Sequence, residues 1–313
     1  MTTPTPMGAQ GAIPPAALPQ PPVNAAPGTA VLFMLCATAF IAGTTLLAKA
    51  LGTDTLGPAL HPIQVTFGRF LFAWVAISTF IAATRPRLTR PNVGLQVGRT
   101  LCGATGVTLM FAAAAAIPLA DATAISFLNP VFGMILAIPL LGEKVGKWRW
   151  LAAAIAFAGA LILIRPGAGS VQIGALLALG AALALGLELT FIKRLTGRER
   201  PTQILFYNNS LGVLIMGLAV IAVWQAPTPL QWAGMAALGF VMAAAQTCFV
   251  NAMARADASF VTPFSYLTLA FAALYDLMLF GVRPEAASYL GAGIIIAGAA
   301  LLAWREAVNR KTP

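Results

Sequence analysis

The chain has 313 residues, of which 59% are hydrophobic and only 9% are charged, whereas soluble domains carry about 25% charged residues. A water-soluble fold of this length cannot cover so much apolar surface, so the composition excludes a soluble enzyme or binding domain. The formal net charge is +10, which in a soluble chain would suggest a nucleic-acid partner. Here the basic residues form no single patch, so the expected partner is the lipid bilayer and no nucleic-acid partner is expected.

About ten apolar runs follow one another along the chain, and each is long enough to cross a bilayer. A spanning helix needs about 20 apolar residues, within a working range of about 17 to 25. The runs are 30–50, 62–83, 95–117, 121–141, 148–164, 172–193, 203–224, 231–253, 258–280 and 287–304. The predicted fold is an all-α membrane protein with ten transmembrane helices.

The distribution of basic residues predicts how these helices are oriented. Basic residues concentrate in alternate connections, within 85–90, 144–149, 193–200, at Arg255 and within 305–311, whereas the other connections hold only Lys49, Arg165 and Arg283. Basic connections mark the cytoplasmic side of a membrane. We therefore expect a multi-pass protein of a bacterial-type cytoplasmic (inner) membrane, with both termini in the cytoplasm, residues 85–91 on the cytoplasmic side and residues 165–171 on the periplasmic side.

The two ends of the chain differ in composition from the apolar runs. Residues 1–29 carry no charged side chain and no hydrophobic periodicity, and such a segment buries too little surface to offset its ordering entropy. They are predicted to form a disordered cytoplasmic tail, and residues 307–313 a second, short cytoplasmic tail.

The apolar region contains an internal repeat. Residues 116–122 and 252–258 both read Ala-X-X-X-Ala-Asp-Ala, 136 positions apart, and residues 158–160 recur as 297–299, 139 positions apart. The predicted halves, 30–166 and 172–306, hold five spans each, and an odd number means that they enter the membrane from opposite sides. Inverted repeats of this kind are typical of secondary transporters, whose solute site lies near the midplane between the halves.

The residues of this repeat resemble those of a known family. Residues 120–130 read ADATAISFLNP and residues 141–144 read LGEK, while residues 256–258 and 263–266 read ADA and PFSY. These segments resemble the two EamA-type repeats of the drug/metabolite transporter superfamily, nearest to its bacterial riboflavin-uptake and S-adenosylmethionine-uptake branch. The resemblance covers about residues 30–306. It implies ten helices in two five-helix repeats and carriage of small organic solutes. The small residues of the fifth and tenth helices are expected to pack closely against other helices, and the resemblance also allows a weak homodimer along these two helices.

Polar groups within the spans supply the candidate functional residues, because each is costly in hydrocarbon. The substrate-binding candidates are Arg69, Asn129, Asn208, Asn209, Gln246 and Tyr266, and the coupling or gating candidates are Arg99, Glu188 and Asp276. Arg69 and Asn208 stand 139 positions apart, so we expect them to line one cavity, with Tyr266 as an aromatic wall. The alternatives are that Arg69 extends to the headgroups and that Glu188 only pairs with Lys193 or Arg194.

The function predicted from these features is secondary transport of a small organic metabolite by alternating access, with an amino acid, a vitamin or a nucleoside-like compound as solute. A nucleotide-driven pump would require a phosphate-binding G-x-x-x-x-G-K-[ST] loop, which the sequence lacks. The alternatives are an intramembrane enzyme and a scaffold that moves no solute. The single histidine, His61, and the lack of clustered metal ligands argue against an enzyme, so no catalytic residue, metal or cofactor is expected. Substrate identity, direction and driving ion stay open.

Overall fold

A computed structural model of the chain describes residues 27–86, 88–141, 146–164, 172–196, 199, 201–253, 255 and 262–311. This part of the chain forms eleven α-helices: α1 Pro27–Gly52, α2 Pro62–Thr84, α3 Val93–Ala116, α4 Leu119–Ser126, α5 Asn129–Leu141, α6 Lys147–Ile164, α7 Ile173–Thr196, α8 Pro201–Val220, α9 Pro229–Met253, α10 Leu267–Phe280 and α11 Ala286–Lys311. Two short 3-10 helices, Ile221–Val223 and Thr262–Tyr266, follow α8 and precede α10.

The helices have the length and composition of membrane spans. Within the described ranges, seven helical stretches are long and apolar enough to cross a bilayer, with α4 and α5 counted as one stretch, and three shorter apolar helices accompany them. Large apolar side chains such as Leu218, Ile221 and Met278 are more than 60% exposed, which suits a surface that faces lipid. The chain is therefore a multi-pass helical membrane protein, and the ten-helix inverted architecture stays a prediction.

The boundaries differ from the sequence-based expectation at the ends of the chain. Helix α1 begins at Pro27, inside the predicted tail, and α11 continues to Lys311, so residues 307–311 are helical. The remainder of the first predicted tail, residues 1–26, lies outside the described part. The expected periplasmic segment 165–171 and position 87 also lie outside it.

Two predicted spans are interrupted. The span expected at 121–141 is divided into α4 and α5 by a turn at Phe127 and Leu128, because Pro130 has no N–H to donate and disfavours helical geometry at the residue before it. In the span expected at 258–280, the 3-10 helix with Pro263 precedes α10. Interrupted helices are tolerated in membranes where they line a cavity.

The helix packing joins the two halves of the chain. The most extensive helix contacts are α3 with α7, α6 with α11, and α1 with α9. Helices α6 and α11 approach most closely through small residues: a Cβ on Gly159 would lie 2.7 Å from the Gly291 carbonyl oxygen, and one on Gly298 would lie 2.8 Å from the Ala152 carbonyl oxygen. The small-residue faces of the fifth and tenth predicted spans therefore pack against each other within one chain, and the weak homodimer expected along them stays a prediction.

Two glutamine side chains tie the halves together at opposite ends of the helices. Gln64, near the start of α2, donates to the Gln225 carbonyl oxygen at 2.7 Å and accepts from the Gln225 N–H at 3.1 Å. Gln203, near the start of α8, accepts from the Thr89 N–H at 2.7 Å and from the Thr89 hydroxyl at 3.0 Å. The start of each helix is thus held to the segment that precedes α9 or α3.

Candidate functional site

A cavity of about 350 Å³ lies at the centre of the helices. Its wall is built by α1, α2, α3, α4, α7, α8, α9 and α10, together with Phe127, the start of α5 and Ser265 of the 3-10 helix before α10. Six of the nine candidate residues line it: Arg69, Arg99, Asn129, Glu188, Asn208 and Gln246. Solute sites in proteins occupy about 300–1,000 Å³, so the cavity has room for one small organic molecule.

Arg69 is placed by α2 at the cavity wall, and it does not extend to the membrane surface. The residue is 5% exposed, and its guanidinium carbon lies 4.7 Å from the centroid of the Phe70 ring. Its Nη1 atom is buried and has no hydrogen-bond partner among the described residues. The guanidinium is therefore held over an aromatic face with hydrogen-bonding capacity to spare.

Arg99 and Glu188 form an ion pair across the cavity wall, between α3 and α7. Arg99 Nε lies 3.3 Å from Glu188 Oε1, and Arg99 Nη1 donates to the Ile204 carbonyl oxygen at 3.1 Å. Gly103, one turn after Arg99, makes the pair possible, because a Cβ at Gly103 would lie 2.9 Å from the carboxylate atoms of Glu188. The described partner of Glu188 is thus Arg99 of another helix, and Arg194 donates to the Leu140 carbonyl oxygen instead. The side chain of Lys193 lies outside the described part of the chain.

The amides come from both halves of the chain. Asn208 of α8 lines the cavity and accepts from the Thr100 hydroxyl at 3.2 Å. Asn129 lines the cavity at the start of α5. Gln246 of α9 and Thr123 of α4 also line it, and Gln246 Oε1 and Thr123 Oγ1 are buried without a hydrogen-bond partner in the described part of the chain.

Aromatic and aliphatic side chains complete the wall. Phe70, Phe111 and Phe127 contribute rings, and Met110 and Met242 contribute flexible thioethers. Aromatic faces suit a flat ring system, and methionine adapts to irregular shapes. Buried donors and acceptors without partners are costly, so the cavity suits a solute that is partly flat and apolar and partly rich in hydrogen-bonding groups.

Two of the predicted substrate-binding residues do not line this cavity. Asn209 is buried and donates to the Leu205 carbonyl oxygen at 2.8 Å, within its own helix. Tyr266 packs edge-on against Phe127, with ring centroids 5.4 Å apart. The expected aromatic wall is thus formed by Phe127, and Tyr266 supports it from outside the cavity.

Asp276 lies apart from the cavity, in a buried ion pair. Its Oδ1 accepts from Lys49 Nζ at 2.5 Å, and its Oδ2 accepts from the Leu119 N–H at 2.8 Å. Lys49 Nζ also lies 4.7 Å from the centroid of the Phe280 ring. The carboxylate therefore joins the last turns of α1 and α10 to the start of α4.

The sequence reading missed three of these features. Lys49 was assigned to a connection, but it lies within α1 and pairs with Asp276. Gly103 carries no side chain that could mark it as functional. Thr123 is indistinguishable by sequence from hydroxyls that bond their own helix, as the Thr100 hydroxyl does with the Gln96 carbonyl oxygen.

Comparisons with known proteins find a matching transporter family and several named relatives. The EamA-like transporter family model matches residues 28–165 and 172–304. A protein named riboflavin transporter from Rhizobium johnstonii is 34% identical over 69% of this chain and 72% of its own length. A riboflavin transporter from Vibrio cholerae is 30% identical over 80% of this chain and 86% of its own length. An S-adenosylmethionine uptake transporter from Rickettsia bellii is 27% identical over 80% and 86%.

A solved crystal structure shows a similar fold. It covers 88% of this chain and 98% of its own, with a TM-score of 0.59 and 21% sequence identity. The family match and the transporter-named relatives show that the chain is a membrane transporter rather than an enzyme. It belongs to the EamA-like transporter family, and the resemblance drawn from residues 120–130 and 263–266 is confirmed.

Proposed function

We propose that the chain carries a flat, uncharged metabolite of the riboflavin type across a bacterial cytoplasmic membrane by alternating access, with the central cavity as the solute site. The observation that carries this proposal is the cavity itself. It combines aromatic walls with buried polar atoms of Arg69, Thr123 and Gln246 that have no partner in the described part of the protein.

Reciprocal contacts support an inverted repeat. Positions 139 apart play matching roles: Gln64 and Gln203 each hold a segment of the other half. Their partners, Thr89 and Gln225, stand 136 apart, the offset found between residues 116–122 and 252–258. One of these contacts lies at each end of the helices, as expected for halves that run in opposite directions.

Helix packing shows the same matching between positions 139 apart. Gly159 and Gly298 stand 139 apart, and so do the residues whose carbonyl oxygens they approach, Ala152 and Gly291. Phe127 and Tyr266 also stand 139 apart and touch each other. Residues related by a two-fold axis touch only close to that axis, so this pair supports an axis that passes beside the cavity wall.

The ion pair of Lys49 and Asp276 is proposed to close the cavity toward the periplasm. Lys49 lies one turn beyond the cavity residue Thr45 on α1, and Asp276 lies about two turns beyond Thr268 on α10. Both side chains are buried. On the basic-residue orientation, this end of α1 faces the periplasm, so the pair blocks the path between α1 and α10.

The solute type follows from the relatives and from the wall chemistry. Two relatives at 34% and 30% identity are named riboflavin transporters. Riboflavin has a flat ring system with carbonyl groups on one edge and a polyhydroxyl chain. The rings of Phe70, Phe111 and Phe127 suit its flat part, while Asn129, Asn208 and Gln246 suit its polar parts.

Glu188 is the proposed coupling residue. A partly buried carboxylate beside a cation can exchange its proton when the balance between burial and the neighbouring charge changes. Glu188 lies in the cavity wall beside Arg99, so a solute that disturbs this pair would alter proton binding at Glu188.

Uptake by purified protein in liposomes tests the proposal. We expect saturable riboflavin uptake that is absent from protein-free liposomes, together with quenching of flavin fluorescence on binding. Asn208→Ala should weaken binding about 5- to 10-fold, the effect of one lost hydrogen bond. Asn209→Ala is the matched control, because its side chain bonds only its own helix. Absence of both uptake and binding would refute the proposed function.

A further inference from the structure

Arg69 differs from the other cavity cation in having no anion of its own. Arg99 has the Glu188 carboxylate at 3.3 Å and the Ile204 carbonyl oxygen. Within the described part of the chain, Arg69 Nη1 is buried without a hydrogen-bond partner, no carboxylate lies within 4.0 Å of the guanidinium nitrogens, and the group stacks on the ring of Phe70. The two arginines are therefore held in very different ways.

The charges of the cavity do not cancel. Of the residues that line it, Arg69 and Arg99 are cationic and Glu188 is anionic, so the wall has one excess positive charge. The Glu188 charge acts on both guanidinium groups, but its contact is with Arg99. A ring face compensates a buried cation only in part, and a buried charge without a partner lowers the stability of the fold.

We propose that Arg69 is a charge filter: it is kept without a counter-ion so that it binds a carbonyl-rich or anionic edge of the solute and excludes solutes of net positive charge. This inference rests on the proposed function for the identity of the solute. It extends that proposal by giving the charge class that the site accepts and the residue that sets it.

The filter separates the two kinds of solute for which the relatives are named. Riboflavin is uncharged and presents two ring carbonyl groups that can accept from a guanidinium. S-adenosylmethionine carries a sulfonium and an ammonium cation against one carboxylate, so its net charge is positive. Like charges brought together at a buried group are unfavourable, so Arg69 should admit the first solute and reject the second.

The first measurement is the thermal stability of the solute-free protein in detergent. Arg69→Gln removes an uncompensated buried charge, so its melting temperature should equal or exceed that of the wild type by a few degrees. Arg99→Gln is the matched control, because it leaves Glu188 without its partner and should lower the melting temperature. A melting temperature of Arg69→Gln clearly below the wild type would show a structural role for Arg69 and overturn the proposal.

The second measurement is binding of riboflavin and of S-adenosylmethionine to the same variants. The wild type should bind riboflavin and bind S-adenosylmethionine weakly or not at all. Arg69→Gln should weaken riboflavin about 10- to 100-fold, the loss of a charge-assisted hydrogen bond, and should strengthen S-adenosylmethionine. Arg69→Lys should keep the exclusion of the cation while recovering only part of the riboflavin affinity, since the charge returns without the planar fork.

The results distinguish failure of the Arg69 charge filter from failure of the proposed transport function. Equal binding of both solutes by the wild type, with an unchanged ratio in Arg69→Gln, would refute the filter and leave transport intact. If the wild type binds and transports neither solute, the proposed function fails, and the melting comparison alone decides whether Arg69 is an uncompensated cation.

Discussion

Gly103 leaves the space that the Glu188 carboxylate occupies in the cavity wall. A methyl group there would lie 2.9 Å from the carboxylate atoms, closer than van der Waals contact allows. Because those atoms end a flexible side chain, Gly103→Ala should displace the carboxylate from Arg99 without unfolding the protein. If Glu188 carries the coupling proton, accumulation against a gradient should fall about 10- to 100-fold, and counterflow exchange should continue in liposomes, as in Glu188→Gln.

Gly43→Ala is the matched control for this substitution. It adds the same methyl group in a membrane helix, where the nearest side-chain atom is 3.9 Å away. Transport should be unchanged. Unaltered accumulation by both Gly103→Ala and Glu188→Gln would remove Glu188 from the coupling mechanism.

At single residues, the charged members of the site were predictable from the sequence, whereas the facing direction of a side chain and the role of a glycine were not. Arg69 was recognisable because a cation in a predicted span is costly, and its repeat position pointed to Asn208. The adjacent Asn209 could not be separated from Asn208, since neighbouring helix positions differ by about 100° of rotation and the sequence does not state which one faces inward. Gly103 acts through the absence of a side chain, which only the position of Glu188 on another helix reveals.

At the level of elements, the Lys49–Asp276 pair joins three helices. Its distance is 2.5 Å and both groups are buried, so removal of one partner leaves an uncompensated charge. Asp276→Asn or Lys49→Met alone should destabilise the protein by about 3–5 kcal/mol, whereas the double variant should lose less than the sum of the two single losses. Chemical or thermal unfolding in detergent would measure this coupling.

The same double variant tests closure of the cavity. Thr45 lines the cavity one turn inward from Lys49, so Thr45→Cys in a background without Cys36, Cys102 and Cys248 reports access from outside. A membrane-impermeant thiol reagent should label it faster once the pair is neutralised. Equal labelling rates with and without the pair would mean that other side chains close this end.

The helices themselves were largely predictable, and their interruptions were not. Every predicted apolar run corresponds to a described helix or helix pair, because about 20 apolar residues in lipid must satisfy their backbone groups internally. The run 121–141 was expected to be one helix, although Pro130 allows either a kink or a full break. At the observed break, Phe127 packs against Tyr266 of the other half, a long-range contact that no local pattern encodes.

For the whole molecule, the contacts that each half of the chain makes with the other bear on how the protein could transport a solute. The hydrogen bonds of Gln64 and Gln203 lie at opposite ends of the helices, and each joins one half of the chain to the other. In an inverted pair of repeats, exchanging the conformations of the two halves converts a cavity open on one side into a cavity open on the other. The Lys49–Asp276 pair, which joins the last turns of α1 and α10, would then bias which state is populated at rest.

The orientation of the protein in the membrane determines whether the Lys49–Asp276 pair closes the cavity toward the periplasm or toward the cytoplasm. Leu88 lies between Arg85 and Arg90, whereas Thr55 lies in the connection after α1, and both side chains are exposed. Basic connections remain in the cytoplasm, so in a cysteine-free background Thr55→Cys should be labelled by an impermeant thiol reagent in intact cells. Leu88→Cys should be labelled only after permeabilisation. The opposite result would place the Lys49–Asp276 closure on the cytoplasmic side, and the resting state would then be closed to the cell interior.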